Sequence, residues 1–190
     1  WYKNRDTCFR FLCKARCYLA LRINACLRHG GCNMEEQFVI RRAAAEDAAR
    51  IWNMQKIAFQ KLLDKYQDFD TNPASEPLEK VSGRLAQKGR YYYFIQVNGE
   101  IAGAVSITDR KDGSAKRLAP IFLLPQYEGQ GLAQEAIREV ERIHGSHTWE
   151  LDTILQEEKL CYLYEKMGYR RTGELTPVND RMTLVFYEKE

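Results

Sequence analysis

The stretch from Leu123 to Ile137, LLPQYEGQGLAQEAI, has the residue types of an anion-binding loop. An apolar run ends at Pro125, glycines follow at positions 129 and 131, and an amphipathic helix pattern begins immediately after them. Glycine lets backbone N–H groups approach a ligand closely, and the first N–H groups of a helix have no partner inside that helix. The pattern therefore predicts a strand-to-helix turn that can hold a phosphate group.

Two common phosphate-binding loops do not fit this stretch. A Walker loop carries a Lys followed by Ser or Thr after its last glycine, and no such pair follows Gly131. A dinucleotide-binding loop has a third glycine where this chain has Gln134. Two interpretations remain: a pyrophosphate held by backbone donors at the start of the helix, and a plain turn that needs glycines for its geometry alone.

Apolar patterns along the chain predict the elements that position this loop. Alternating or continuous apolar residues predict strands at residues 38–41, 91–97, 100–108, 117–124, 149–155 and 182–189. Helical spacing predicts helices at residues 44–59, 78–87, 132–143 and 161–167. Asn98-Gly99 predicts a tight hairpin between the second and third strands, and the acidic segment 66–77 predicts a loop. The sequence therefore predicts an α/β protein.

The first 33 residues differ in composition from the rest of the chain. They contain seven Lys or Arg against one acid, a net charge of +6, whereas the whole chain has a net charge of +3. They also hold five of the six cysteines, at intervals that fit neither a zinc site nor a clear disulfide framework. A basic segment lying on a membrane surface is one interpretation. We favour an extension over residues 1–33 that is poorly ordered or not native, followed by one domain over residues 34–190.

Several function classes lack support in the sequence. With 190 residues and no window of 18 uninterrupted apolar residues, the chain gives no sign of a membrane span. His144 and His147 have no carboxylate at ligand spacing, and Cys161 lies among apolar residues, as a buried unreactive thiol does. We therefore predict no metal and no nucleic-acid partner, and expect a cytoplasmic monomer or homodimer.

Two motifs resemble the GNAT superfamily of N-acetyltransferases. PQYEGQGLA, residues 125–133, is similar to motif A of this family, and YEKMGY, residues 164–169, is similar to its later Y-E-K-x-G-[FY] segment. FVIRRAAAEDAARI, residues 38–51, resembles the opening of the family, so the similarity covers about residues 37–190. The resemblance implies an α/β (α+β) fold with a GNAT-like mixed, mostly antiparallel central sheet flanked by helices. Its strands would splay apart at the cofactor site.

The resemblance also implies acetyl-CoA as the cofactor, with its pantetheine arm along the strand before the loop. The family motif [QR]-x-x-G-x-[GA] fits literally from Gln126, but the flanking residues favour a register in which Glu128 takes the Gln/Arg position. A carboxylate is electrostatically unfavourable beside a pyrophosphate. The implied cofactor-binding residues are Phe122, Leu123, Leu124, Glu128, Gly129, Gln130, Gly131, Leu132 and Ala133.

Direct acetyl transfer to a primary amine is the mechanism that the resemblance implies. A backbone N–H on the strand before the loop would stabilise the oxyanion, and Tyr164 would protonate the departing thiolate. Glu150 and Asp152 share one face of a predicted strand, where either could be the general base or simply exposed. Asp70 and Glu76 lie in the acidic loop, which would suit a cationic acceptor, either a small molecule or a peptide.

Three residues depart from the family pattern. Besides Glu128, the chain has Glu157 and Leu160 where the family often has Asn and Ala. These departures keep a second interpretation open, a catalytically inactive GNAT-fold protein that binds CoA or a protein partner. Tyr164 and the intact glycine turn favour the enzyme.

Overall fold

The computed structural model describes residues 37–190, which form one compact unit, and the extension predicted over residues 1–33 lies outside them. The elements are β1 Phe38–Arg42, α1 Ala48–Tyr66, α2 Leu78–Ala86, β2 Arg90–Val97, β3 Glu100–Thr108, β4 Lys116–Leu123, α3 Leu132–His144, β5 Trp149–Ile154, α4 Glu158–Lys166, β6 Arg170–Asn179 and β7 Met182–Lys189. Short 3-10 turns lie at Ala45–Asp47, Pro73–Ser75 and Pro125–Tyr127. None of the helices between residues 37 and 190 combines the length and apolar character that a membrane crossing needs.

The strands form one seven-stranded sheet in the order β1-β2-β3-β4-β5-β7-β6. Neighbouring strands are antiparallel except β4 and β5, which run parallel. β4 and β5 pair only at Lys116 with Trp149 and at Arg117 with Glu150, and they separate beyond these residues. The predicted mixed, mostly antiparallel sheet with splayed strands is therefore confirmed.

Helices cover both faces of the sheet. Adjacent side chains of a strand point to opposite faces, and Tyr93 and Phe94 of β2 accordingly enter different apolar clusters. The first cluster joins α3 and α4 to the sheet and includes Ile137, Val140, Cys161, Tyr164, Trp149 and Leu151. The second joins α1 and α2 to the other face and includes Ile51, Met54, Val81, Phe94, Ala104 and Phe122. The two helix pairs thus lie on opposite faces.

The turn between β2 and β3 has the conformation that its sequence predicts. Asn98 and Gly99 both have positive φ angles, 53° and 85°, as a two-residue hairpin turn of this type requires. By contrast, the sequence does not predict β6. Most of its ten residues are polar, Gly173 and Pro177 interrupt it, and nearly all of its residues are exposed. β6 exists because it pairs with β7 along the edge of the sheet.

β3 and β4 approach each other very closely at Gly103. A Cβ atom at this position would lie 2.9 Å from Leu123 Cα and closer still to the carbonyl oxygen of Phe122. Both obstacles are backbone atoms, so the clash could be relieved only by moving the strand. Glycine is therefore required here for the close approach of β4.

Candidate functional site

One edge of β4 faces the gap between β4 and β5, which opens beyond Arg117 and Glu150. On the other edge, Leu124 N–H donates to the Ala102 carbonyl at 2.8 Å. Hydrogen-bonding direction alternates along an antiparallel strand, and Phe122 pairs with Ala104 and Leu123 with Gly103. The register therefore directs the N–H groups of Phe122 and Leu124 towards β3, and that of Leu123 towards the gap.

The glycine loop, residues 129–131, connects this strand to α3. Gly129 and Gly131 have φ angles of 76° and 83°, and no atom lies within 4 Å of a Cβ built on either residue. Backbone conformation rather than crowding therefore requires glycine at both positions. Gly131 is the N-cap of α3, and its carbonyl accepts the N–H of Gln134 at 2.9 Å.

The first turn of α3 presents free backbone donors. The N–H groups of Gly131, Leu132 and Ala133 have no hydrogen-bond acceptor within residues 37–190, and no side chain caps the helix. Such donors, together with the positive end of the helix dipole, make this terminus a candidate anion site. The site follows directly on the open edge of β4.

Glu128 does not cap this helix. Its side chain is exposed and makes no hydrogen bond or ion pair with the described part of the chain. The neighbouring Gln130 amide donates to the carbonyl of Gln126 at 3.0 Å. Glu128 thus adds a negative charge beside the free N–H groups, and no basic side chain offsets it in this part of the fold.

Tyr164 lies on α4 and is only 6% exposed. Its ring packs with the rings of Tyr169 and Tyr187, each at a centroid distance of 6.1 Å. The hydroxyl has no hydrogen-bond partner among the described residues. Burial raises the pKa of Tyr164 above its ordinary value, and the negative charge of Asp152 raises it further. The phenol is therefore protonated at physiological pH.

Both predicted candidates for the general base lie beside one arginine. Arg117 on β4 forms an ion pair with Asp152, and its Nη1 lies 3.8 Å from Glu150 Oε1. The three side chains lie where β4 and β5 begin to separate. Sequence reasoning missed Arg117, because Arg117 meets these acids only through the parallel pairing of β4 with β5. No local sequence pattern indicates that pairing.

The two predicted acids of the loop before α2 are not brought together. Glu76 is buried, accepts hydrogen bonds from Arg84 at 2.6 and 2.5 Å, and pairs with Lys80 at 3.0 Å. Burial alone would raise the pKa of Glu76, but the hydrogen bonds from Arg84 and Lys80 outweigh burial and lower it. Asp70 is exposed. The prediction that Glu76 faces an acceptor gains no support, because its oxygens are occupied.

Glu157, which the resemblance places where the family often has Asn, links two helices. Its Oε1 accepts hydrogen bonds from Lys65 Nζ at 2.6 Å and from the Tyr66 hydroxyl at 2.7 Å, both at the end of α1. Desolvation would raise the pKa of Glu157, but these hydrogen bonds lower it. The departure from the family pattern therefore has a structural reason at the start of α4.

His144 is the last residue of α3, at the end opposite the glycine loop, and belongs to a buried hydrogen-bonded network. Its Nδ1 lies 2.8 Å from Asp109 Oδ2, and its Nε2 lies 3.0 Å from the Tyr93 hydroxyl. Burial lowers the pKa of His144, although Asp109 acts in the opposite direction. No group of three or more potential metal ligands occurs in residues 37–190.

These features define a sheet with one open strand edge that leads into a helix terminus with free backbone donors. The chain belongs to the GNAT acetyltransferase family, whose family model matches residues 58–169. No curated protein sequence gives a significant match.

Solved structures share the fold. A spermidine N-acetyltransferase from Vibrio cholerae, in complex with CoA and spermine, is 17% identical, and the match covers 80% of this chain and 94% of that one with a TM-score of 0.64. The ribosomal-protein-S18-alanine N-acetyltransferase from Escherichia coli is 15% identical over 80% of this chain and 93% of that one, also with a TM-score of 0.64. At these identities the likeness establishes the fold alone.

Proposed function

We propose that this protein transfers the acetyl group of acetyl-CoA directly to a primary amine. One observation carries the proposal: the free N–H groups of Gly131, Leu132 and Ala133 follow directly on the open edge of β4. Backbone donors at a helix start suit a pyrophosphate. The unpaired edge beside the gap suits the amide-bearing pantetheine arm, which can bind it as an additional strand would.

Leu123 is the strand residue proposed to contact the reacting thioester. Its N–H points into the gap, whereas that of Leu124 is already donated to Ala102. A fixed donor aimed at the oxyanion that forms when an amine attacks a carbonyl contributes about 3 kcal/mol to the transition state. Because β3 holds the other edge of β4, this donor does not need to reorganise during the reaction.

Tyr164 is proposed to assist the leaving thiolate. As the amine nitrogen bonds to the acetyl carbon, the carbon–sulfur bond breaks and sulfur acquires negative charge. A phenol kept protonated by burial can donate a hydrogen bond to that sulfur and pass its proton to it. The tyrosinate is then reprotonated by the proton that the amine releases.

Asp152 and Glu150 are the proposed route for the proton of the amine. An amine with a pKa near 10.4 is mostly protonated at neutral pH and must lose a proton before it attacks. A carboxylate acting through water can take this proton, and both acids lie at the start of the gap with Arg117. The acceptor is a small molecule or a peptide. The structure of the Vibrio cholerae spermidine N-acetyltransferase in complex with CoA and spermine supports an amine acceptor.

Calorimetric titration of the full chain with acetyl-CoA tests the cofactor part of the proposal, with ATP and NAD as controls. We expect micromolar binding of acetyl-CoA and CoA, and none of NAD. Binding of all three ligands with equal strength would reduce the glycine loop to a general anion site. An absence of acetyl-CoA binding would overturn the proposal and favour a protein that retains the fold without the chemistry.

A further inference from the structure

The two groups proposed to act on the thioester lie on opposite sides of the gap. Leu123 belongs to β4, whereas Tyr164 belongs to α4, the helix that follows β5. Within residues 37–190, β4 and β5 pair at two positions, the last of them Arg117 with Glu150. Strand pairing therefore does not fix the distance between Leu123 and Tyr164, and another element must hold the two sides of the gap apart.

Helix α1 crosses the gap on the sheet face opposite α3 and α4. Its Phe59 ring packs against the ring of Phe122 on β4, next to Leu123, at a centroid distance of 5.6 Å. Seven residues later, the Tyr66 carbonyl accepts from the amide of Asn179 on β6 at 3.1 Å, and β6 is joined to β5 through β7. Seven helical residues span about 10 Å, roughly twice the spacing of paired strands. Helix α1 therefore supports both sides of the widened gap.

Glu157 joins the end of α1 to the start of α4. The Tyr66 hydroxyl donates to Glu157 Oε1 at 2.7 Å, and Lys65 Nζ lies 2.6 Å from the same oxygen. Glu157 is also the N-cap of α4, and its backbone N–H donates at 3.0 Å to the carbonyl of Ile154, the last residue of β5. One residue thus ties the start of α4 to both α1 and β5.

The two side chains that contact Glu157 differ in exposure. Tyr66 is 2% exposed, whereas the Lys65 side chain is 53% exposed. An exposed ion pair contributes little to stability, because water and salt screen it. A buried hydroxyl that donates to a carboxylate contributes more and is costly to leave without a partner. The position of α4 against α1 therefore depends mainly on the bond between Tyr66 and Glu157.

We propose that Tyr66 and Glu157 are positioning residues that set the width of the gap and hold Tyr164 at the distance from β4 that the acetylated pantetheine arm requires. This inference rests on the proposed acetyl transfer. Tyr164 follows Glu157 by seven residues, about two turns of α4. Movement of the start of α4 away from α1 would carry Tyr164 away from Leu123, and the arm would lose contact with one side of the gap. Both residues act through the position of α4 and not on the reacting atoms.

Two ligands separate an effect on the gap from an effect on the anion site. Acetyl-CoA carries the pantetheine arm, whereas adenosine 3′-phosphate 5′-diphosphate keeps the pyrophosphate and lacks the arm. In calorimetry on the full chain, we expect Glu157→Ala to weaken acetyl-CoA binding about tenfold and the arm-free ligand by less than about twofold, because a loosened gap adds an ordering cost to binding of the arm. Tyr66→Phe should show the same selectivity with a smaller loss. Glu157→Gln keeps an oxygen that can accept from Tyr66 and should retain most of the affinity.

Matched variants control for charge and for folding. Glu158→Ala removes an exposed acid one residue further along the chain, and Tyr162→Phe removes an exposed hydroxyl on the same helix. Both should bind acetyl-CoA as the wild type does, and melting temperatures establish that each variant is folded during the titration. The double variant Tyr66→Phe/Glu157→Ala should bind acetyl-CoA as Glu157→Ala does, because both changes remove the same hydrogen bond.

Three outcomes would overturn the inference. They are wild-type affinity for acetyl-CoA in folded Glu157→Ala, equal weakening of both ligands, and full additivity of the two changes in the double variant. Tyr66→Phe keeps the buried ring, so the first two criteria apply to it even if Glu157→Ala does not fold. Each of these outcomes leaves the proposed function standing. A lack of acetyl-CoA binding by the wild type would instead reject the proposed function, and this inference with it.

Discussion

The two edges of β4 differ in how fully they are paired. Towards β3 the strand is held so tightly that Gly103 cannot carry a side chain, and Leu124 N–H is donated to Ala102 at 2.8 Å. Towards β5 it is paired only through Lys116 and Arg117, and the rest of the edge is unpaired. An unpaired strand edge inside a sheet can keep its shape only if something else fixes it. Here the edge paired with β3, which we call the closed edge, holds in place the edge that faces the gap, which we call the open edge.

Tyr164→Phe tests the open edge and has the largest expected effect. We expect kcat to fall about a hundredfold, a typical contribution of a positioned acid, with little change in the Kd of acetyl-CoA. The hydroxyl makes no hydrogen bond in the described structure and the ring is kept, so the melting temperature should not fall.

Steady-state kinetics and thermal unfolding of Tyr164→Phe give both quantities. Tyr162→Phe, the same change on an exposed residue of the same helix, is the control and should leave both unaffected. If turnover is retained in Tyr164→Phe, the tyrosine serves packing alone and another group protonates the thiolate.

Gly103→Ala tests the closed edge. The added methyl group would meet the backbone of Phe122 and Leu123, so we expect a loss of about 2 kcal/mol in the free energy of unfolding. Because β4 must move, acetyl-CoA binding should weaken as well. Urea unfolding and calorimetry measure the two effects.

Gly83→Ala is the matched control for this change. Gly83 lies inside α2 with no atom within 4 Å of an added Cβ, so alanine should stabilise the protein by about 1 kcal/mol. If Gly103→Ala weakened neither stability nor cofactor binding, the closed edge would not control the open one.

His144→Gln tests the paired end of β4 and β5, where the imidazole lies 6.4 Å from the Trp149 ring. Burial lowers the pKa of His144, so the unfolded chain takes up a proton more readily than the folded one. The free energy of unfolding that this lowered pKa contributes is fully present above the ordinary histidine pKa near 6.5 and is lost as the pH falls below it. The pKa of Asp109 is also lowered, but its contribution is lost only at pH values below the ordinary range of an aspartate.

Melting temperatures between pH 8 and pH 5.5 check this expectation. The wild type should lose several degrees over this interval, and His144→Gln should lose less. His147→Gln, which changes an exposed histidine three residues away, should follow the wild type. Equal slopes for wild type and His144→Gln would show that protonation of His144 does not limit stability.

Glu128→Gln has the smallest expected effect. Removing an exposed negative charge beside the free N–H groups of α3 should improve acetyl-CoA affinity by about 0.5 kcal/mol, and more at low salt. Glu174→Gln on the exposed β6 is the control of equal charge change. If both variants gain equally, the effect comes from net charge and not from the position of Glu128.

The sequence predicted the elements that carry local signals. Alternation identified β7 at its observed bounds, Met182–Lys189, and Asn98-Gly99 identified the hairpin. β6 escaped prediction because an exposed edge strand needs no apolar face and is stabilised by its pairing with β7 alone. Arg117 escaped prediction for a related reason. Its role depends on which charges lie on the neighbouring strand β5, and that is a property of topology rather than of sequence spacing.

The position of β7 between β5 and β6 has a consequence for how the protein is made. β5 pairs with β7 along its whole length but with β4 at only two positions, and β7 comes about thirty residues later in the chain. During synthesis, β2 to β4 can assemble from consecutive hairpins as they leave the ribosome, because their partners are close in sequence. β5 must wait for β7, so the gap takes its final shape late in folding.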